Sequence, residues 1–442
     1  MCGIAIKYKD HTCSANKISH RGIYGKGKQF GDYLMTHYKL PLQTEPGDEF
    51  DQPIRLRNGN YLLFNGEIFN APKEFKNDVE YLVDFFSKPN WLESIGGAEY
   101  NHWDGFWAIC IVTHDKVYAF TDPLGKKQLY FRDGCISSEM KPLLSNSNKD
   151  PRFDQDEVIA TSVTPFHGVS RILPNRLYWF KGTQANRSSR ELFDLRRPSK
   201  DKDLVRMIHN SVEKRLINTL DQNTLFVSGG LDSTIILSHL HSLGVADDFQ
   251  LLSVDNYKDS EFLSCIESYF GYKVDVIPSE PYSEDQLRKA IKVYEYPLER
   301  GSLLQQFRLC SKVKGSVIYS GDGADELFSG YSRAQIHDSQ NFDVFVELPY
   351  YHHLRLDRIP MHFTKELRSP FLDHEIVRFA LNCPYEYRKG KKILKELYKG
   401  SIPDEIINRE KSPLREESMI RDRNSYIEKI KTTFNQINYE IN

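Results

Sequence analysis

The chain has 442 residues, more than one hydrophobic core usually spans, so length alone predicts two domains. Its 59 Lys and Arg residues against 61 Asp and Glu leave a net charge of −2, which excludes an extended polyanion-binding surface and nucleic acid as the main partner. The seven cysteines (Cys2, Cys13, Cys110, Cys135, Cys265, Cys310 and Cys383) are scattered, without the short paired spacing of a zinc site or disulfide scaffold. The start MCGIAIKYKD becomes charged too early for a secretory segment, and no apolar run approaches the ~20 residues of a membrane span. A cytoplasmic protein with reduced thiols and no membrane partner is the expectation.

From Met1 to about Phe180 the readable elements are short and strand-like: GNYLLFNGEIFN, GFWAICIV, KVYAFTD, CISSE and NRLYWF, punctuated by Gly, Asp and Asn. They predict an α+β domain of antiparallel sheets over residues 1–195. The stretch Gly182–Asp203 is polar and charged without apolar periodicity and reads as the linker. Beyond it the period changes. NTLFVSGG, FQLLSVDN, KVDVIPS and SVIYSGDG read as strands, STIILSHLHSLG and SEFLSCIESYFG as helices. That alternation predicts a doubly wound α/β parallel sheet over residues 196–442, with ligands beyond its C-terminal strand ends and a helical, charged C-terminal region.

At the N-terminus, removal of Met1 would leave Cys2 with a thiol beside a free α-amine. That amine titrates at about 7.7–8.0 and can take the thiol proton, the logic of an N-terminal nucleophile. A cysteine at position two means little alone. Asn65-Gly66 alone is more often a hairpin turn, and Asp78 alone a solvated acid at a helix start. In the second half, FVSGGLDST (Phe226–Thr234) falls between a predicted strand and a predicted helix. There the backbone N–H groups of Ser228, Gly229 and Gly230, the hydroxyls of Ser233 and Thr234 and the helix N-terminus form an anion cradle. The turn lacks the GKS/T ending of a γ-phosphate-transferring P-loop. The acidic loop SGDGADELFSGY (Ser320–Tyr331) would be a solvated turn if it stood alone.

Taken in order, MCGI, HRG (His20–Gly22), NGEIFN (Asn65–Asn70), Asp78–Glu80, DGFWA (Asp104–Ala108) and DPLGKKQLY (Asp122–Tyr130) resemble the class II glutamine amidotransferase domain, which has the Ntn-hydrolase fold. SGGLDS resembles the PP-loop of ATP pyrophosphatases, and the pair resembles the glutamine-hydrolysing asparagine synthetase family. The resemblance implies Cys2 as nucleophile, with Arg21 and Gly22 supporting the N-terminus and Asn65 and Gly66 as oxyanion donors. It also implies glutamine binding by Lys39, Asn65, Gly66, Glu67 and Asp78.

By the same resemblance, Val227, Ser228, Gly229, Gly230, Asp232, Ser233, Thr234, Val254, Ser320 and Gly321 hold ATP. Asp232 and Asp325 would bind Mg2+. Asp322 would orient the acceptor or take a proton from ammonia, and Lys391, with Lys392 as competitor, would neutralise phosphate charge. The implied reaction is ATP-dependent amidation of a carboxylate, aspartate by default, with a sugar acid or specialised metabolite as the alternative and a homodimer as a further expectation. A non-catalytic binding protein and a tRNA-modifying PP-loop enzyme are the readings from other classes. Two departures stand out: Lys39 replaces an arginine that would fork onto the glutamine carboxylate, and Ile23-Tyr24 replaces Pro-Asp after Arg-Gly. Both predict slow glutamine use. The C-terminal half is also shorter than in typical relatives.

Overall fold

In the computed structural model, residues 2–42, 47–144, 149–150, 160–216, 222–255, 259–278, 281–298, 302–410 and 422–439 are described. The first half holds two six-stranded antiparallel sheets. One runs Ser170–Arg171, Tyr130–Arg132, Cys135–Ser137, Cys2–Tyr8, Tyr33–Lys39 and Tyr24–Phe30 in spatial order. The other runs Gln184–Arg187, Tyr178–Lys181, Val117–Thr121, Gly105–Val112, Tyr61–Ile68 and Ile54–Arg55. Their facing sides bury Ile4, Ile6, Met35, Leu63, Cys110 and Val112, the inward residues of alternating strands.

Tyr61–Ile68 and Gly105–Val112 are buried along their whole length. The helix Asp78–Ser87 packs on the side away from the first sheet. Gly105–Val112 is therefore an almost uninterrupted apolar run, and Tyr61–Ile68 opens as one before Asn65, Gly66 and Glu67, which is why both stand out in the sequence. The pairing that matters most is Cys2 opposite Lys39, which sets the second residue of the chain at the end of a central strand.

The second half is built on a five-stranded, wholly parallel sheet in the order Val274–Ile277, Phe249–Val254, Asn223–Phe226, Val317–Tyr319 and Glu366–Arg368. The order reverses direction between Asn223–Phe226 and Val317–Tyr319, the switch point at which such sheets open a crevice. Four of these strands are legible as apolar runs. The fifth is not, because two of its three residues are charged: Glu366 and Arg368, both wholly buried and paired at 2.7 Å. Its charges are tolerated because they neutralise one another.

The linker expectation is corrected in form. Gln184–Arg187 pairs with Tyr178–Lys181 as a hairpin, and Leu192, Phe193 and Leu195 beyond it are buried. Every residue of Gln184–Arg187 is exposed, so this edge strand has no alternating pattern to read. One apolar cluster runs from Leu40 and Phe64 in the first half to Leu225 and Ile376 in the second, so the halves share a core. All seven cysteines are free thiols. Among the described residues no helix is long and apolar enough to cross a membrane.

Candidate active sites

The first site forms where the two antiparallel sheets meet. Cys2 donates its backbone N–H to Asn65 Oδ1 at 2.9 Å, which ties the start of one sheet to the middle of the other. Asn65 is fully buried, and its Nδ2 meets no hydrogen-bond partner within the protein. A buried amide N–H without a partner costs about 1–3 kcal/mol, so it suits a group that arrives with a substrate. Gly66 follows at φ +155, and a Cβ there would stand 2.0 Å from the Phe106 carbonyl oxygen. We expect Gly66→Ala to cost about 1–3 kcal/mol of stability, since the strained backbone has no room to yield; thermal denaturation would measure it.

Cys2, His37, Lys39, Gly66, Glu67 and Asp78 line one cavity of about 60 Å³. Burial alone would raise the Cys2 thiol, but the His37 imidazole, the N-terminal charge and a hydrogen bond from His37 bring it down to about 6. His37 is itself held by donating Nε2–H to the Phe64 carbonyl, 3.2 Å away. It was missed in the sequence because it belongs to no motif there. Its one signal is period: in the strand Tyr33–Lys39 it shares a face with Lys39.

Asp78 opens its helix behind an Asn77 cap and accepts Ile68 N–H at 3.0 Å. It is thus both a helix-start acid and a buried cavity group, and burial raises its carboxyl to about 7. Burial, reinforced by Glu366 and Asp78, holds the Glu67 carboxyl well above its usual range. Lys39 lines the cavity as expected, yet its ammonium is gripped by Asp51 at 2.8 Å and Asp48 at 3.0 Å. An incoming carboxylate would have to share it. At the second departure, Ile23 donates its backbone N–H to the Lys39 carbonyl at 2.9 Å, and the chain runs straight into the strand Tyr24–Phe30.

Arg21 links this site to the second half. Its Nε donates to the Cys2 carbonyl at 3.2 Å, Nη1 to Glu139 at 2.8 Å, and Nη2 to both oxygens of Asp357 at 2.9 and 3.2 Å. Lys127 of the DPLGKK segment joins the same Asp357 at 2.5 Å. All of these side chains are buried.

The second site is a cavity of about 310 Å³ over the C-terminal ends of the parallel strands. Val227, Ser228, Asp232 and Ser233 reach it from the first strand and its turn, Val254 from the next. Ser320, Gly321, Asp322 and Asp325 reach it from the end of the strand Val317–Tyr319 and the loop beyond. Gly229, Gly230 and Thr234, expected there too, do not line it: the Thr234 hydroxyl donates to the Gly230 carbonyl at 2.8 Å, closing the first helical turn. Ser228 N–H donates to Ser233 Oγ at 3.2 Å. The turn is held by Arg409, also missed in the sequence, which donates to the Ser228 carbonyl at 3.0 Å, pairs with Asp259 and stacks on Phe262. As a single arginine beyond the helical motifs it carried no pattern.

Lys391, rather than the exposed Lys392, reaches the site. Its Nζ lies 2.6 and 2.8 Å from the Asp232 oxygens and 2.6 Å from Asp325. A cation bridging these carboxylates is what a hard-metal pair would hold, so the donor set fits Mg2+; among the described residues no cluster of three or more metal-binding side chains exists. Two carboxylates suffice for a magnesium ion that keeps water and substrate phosphates as its other ligands.

Fold and sites together define a two-centre chain, an antiparallel-sheet half with Cys2 in its cavity joined to a parallel-sheet half with a second cavity at its strand ends. The Asparagine synthase family model matches residues 203–346 and 332–437, and the Glutamine amidotransferase domain model matches residues 1–190. The chain belongs to the asparagine synthase family of ATP-dependent ligases. It is 24% identical to the glutamine-hydrolysing asparagine synthetase of Homo sapiens, with 93% of this chain and 83% of that protein covered. The counterpart of Gallus gallus is 26% identical over 93% and 83% of the two chains, and enzyme 1 of Saccharomyces cerevisiae 25% identical over 93% and 84%.

Proposed function

We propose that this chain hydrolyses glutamine at Cys2 and uses the ammonia to convert aspartate to asparagine, with ATP consumed to AMP and pyrophosphate. One observation carries the reading: a buried charge network runs from the Cys2 carbonyl through Arg21 to Asp357, whose neighbours Arg355 and Leu356 line the second cavity. Two catalytic centres tied in this way suit one coupled reaction. The division between them near residue 195 is supported by the gap between the two matched stretches, 1–190 and 203–437.

In the first centre the Cys2 thiolate attacks the glutamine amide carbon, and the negative oxygen that develops is met by Asn65 Nδ2 and the Gly66 N–H. The proton that the thiol gave up is returned to the amide nitrogen, so that ammonia leaves as the thioester forms; water then cleaves the thioester, the Cys2 thiol is restored and glutamate departs. Asp78 binds the substrate ammonium. In the second, an oxygen of the acceptor carboxylate attacks the α-phosphorus of ATP and pyrophosphate leaves. Ammonia then attacks the acyl carbon of the adenylate, Asp322 accepts its proton and AMP departs. Magnesium bound by Asp232 and Asp325 would offset the charge of the phosphates. Lys391 adds the same kind of help from the protein.

The pH dependence follows from Cys2 and Asp78. Thiolate is lost as pH falls through about 6, so glutaminase kcat should drop below that point. Asp78 protonates as pH falls through about 7, so the glutamine KM should already rise there. Initial rates of glutamate release between pH 5 and 8.5 would separate the two; a KM flat through pH 7 would remove Asp78 from glutamine binding. The acceptor is tested by incubating the protein with ATP, magnesium, glutamine and a panel of carboxylates while following pyrophosphate and product mass. Pyrophosphate with aspartate, and asparagine as product, support the reading; turnover only with another acid moves the chain to that acid.

A further inference from the structure

The second cavity contains a side chain that the reaction above does not use. Gln306 lies on the helix Leu303–Cys310, which packs against the strand Phe249–Val254. It is 3% exposed, it lines the cavity, and neither its Oε1 nor its Nε2 has a hydrogen-bond partner among the described residues. Ser320 Oγ, in the same cavity, is buried and equally unpartnered. A buried amide with both ends unsatisfied is costly, and a leucine of similar size would avoid the cost. The observation points to a ligand that brings a donor and an acceptor side by side.

The chemistry around the amide narrows that ligand. Leu252, Val254, Leu309 and Leu356 line the same cavity and belong to one apolar cluster. Phosphates belong at the Ser228–Ser233 turn, near Lys391. A charged acceptor has a charged wall available elsewhere in the cavity, where Arg333 meets Glu347 and Asp343, and His352 approaches Glu347. What remains for a neutral amide among leucines and a valine is a flat, neutral heterocycle. Adenine presents an amino donor beside a ring-nitrogen acceptor, the pair that a glutamine amide complements with two parallel hydrogen bonds. Val254, at the strand end expected to hold the adenosine, lines this cavity too.

Building on the proposed ATP-dependent reaction, we propose that the Gln306 amide pairs with the amino-bearing edge of adenine, Oε1 accepting from the 6-amino group and Nε2 donating to the adjacent ring nitrogen, and so selects the nucleotide. Gln306 is then a specificity residue of the activation half-reaction.

The test is calorimetric binding of magnesium-ATP and of purine riboside triphosphate, which lacks the 6-amino group, to the full chain without acceptor. Wild type should bind ATP roughly tenfold tighter than the purine analogue. Gln306→Leu should bind ATP roughly tenfold more weakly and no longer distinguish the two nucleotides, with the acceptor KM unchanged in the amidation assay. Gln306→Met serves as a second variant if the first fails to fold, and both should melt no lower than wild type, because an unsatisfied amide is removed. An ATP-to-analogue ratio that is unity in wild type, or that survives both substitutions, overturns the assignment while leaving the ligase reading in place. A rise in acceptor KM with ATP binding intact also overturns it and gives the amide to the acceptor. Absence of any nucleotide binding by wild type would remove the ligase reading and this inference together.

Discussion

Cys2→Ala should lower glutamine-dependent amidation by at least about 10³-fold, because among the described residues Cys2 is the cysteine that lines the first cavity. With ammonium chloride in place of glutamine, the same protein should make product at a rate within about twofold of wild type, since the acid-activating centre does not use the thiol. The loss of one sulfur at the end of the Cys2–Tyr8 strand leaves the backbone hydrogen bond to Asn65 and the Arg21 contact to the Cys2 carbonyl in place. Coupled detection of glutamate and amidated product, with each nitrogen source in turn, gives the answer. Glutamine-driven product from the alanine variant would eliminate Cys2 as the nucleophile.

Asp325→Asn is the second large expected effect, now on the other centre. Lys391 is held between Asp232 and Asp325, and the backbone of Gly330 comes so close that a Cβ there would lie 2.0 Å from Asp325 Oδ1. The carboxylate therefore has one position, and the amide that replaces it fits the same space with one negative charge fewer. If Asp325 helps to hold magnesium against the phosphates, the barrier rises by several kcal/mol, on the order of 10²–10³ in pyrophosphate release. Glutamate release at Cys2, measured in the same preparation, should be spared. A variant with normal acid-stimulated pyrophosphate release would show that Asp325 supports the loop without touching the chemistry.

Much of this architecture is legible in the sequence. Runs such as residues 61–64 and 106–112 are legible because a strand segment buried on both faces is apolar at nearly every position. The Ser228–Thr234 turn is legible because a strand, a glycine pair and a helix start must follow one another for the backbone to form it. Harder to see were Gln184–Arg187, an exposed edge, and Glu366–Arg368, whose buried charges are paired only in three dimensions. His37, Arg409 and Gln306 lie outside every motif, because each acts on a residue distant in the chain or on a ligand.

Residue order by itself determined the change from short antiparallel strands to alternating strands and helices, the cysteine at position two and the glycine-rich strand-to-helix turn, for these depend on local spacing and on the period of apolar positions. Only the tertiary structure decided which groups share a cavity. It placed Asn65 against Cys2, engaged Lys39 with Asp48 and Asp51, and chose Lys391 over Lys392. It also joined Arg21 to Asp357 across more than three hundred positions of chain. The physical reason is that electrostatic and hydrogen-bond energies depend on distance and burial in space, quantities that separation along the chain does not contain.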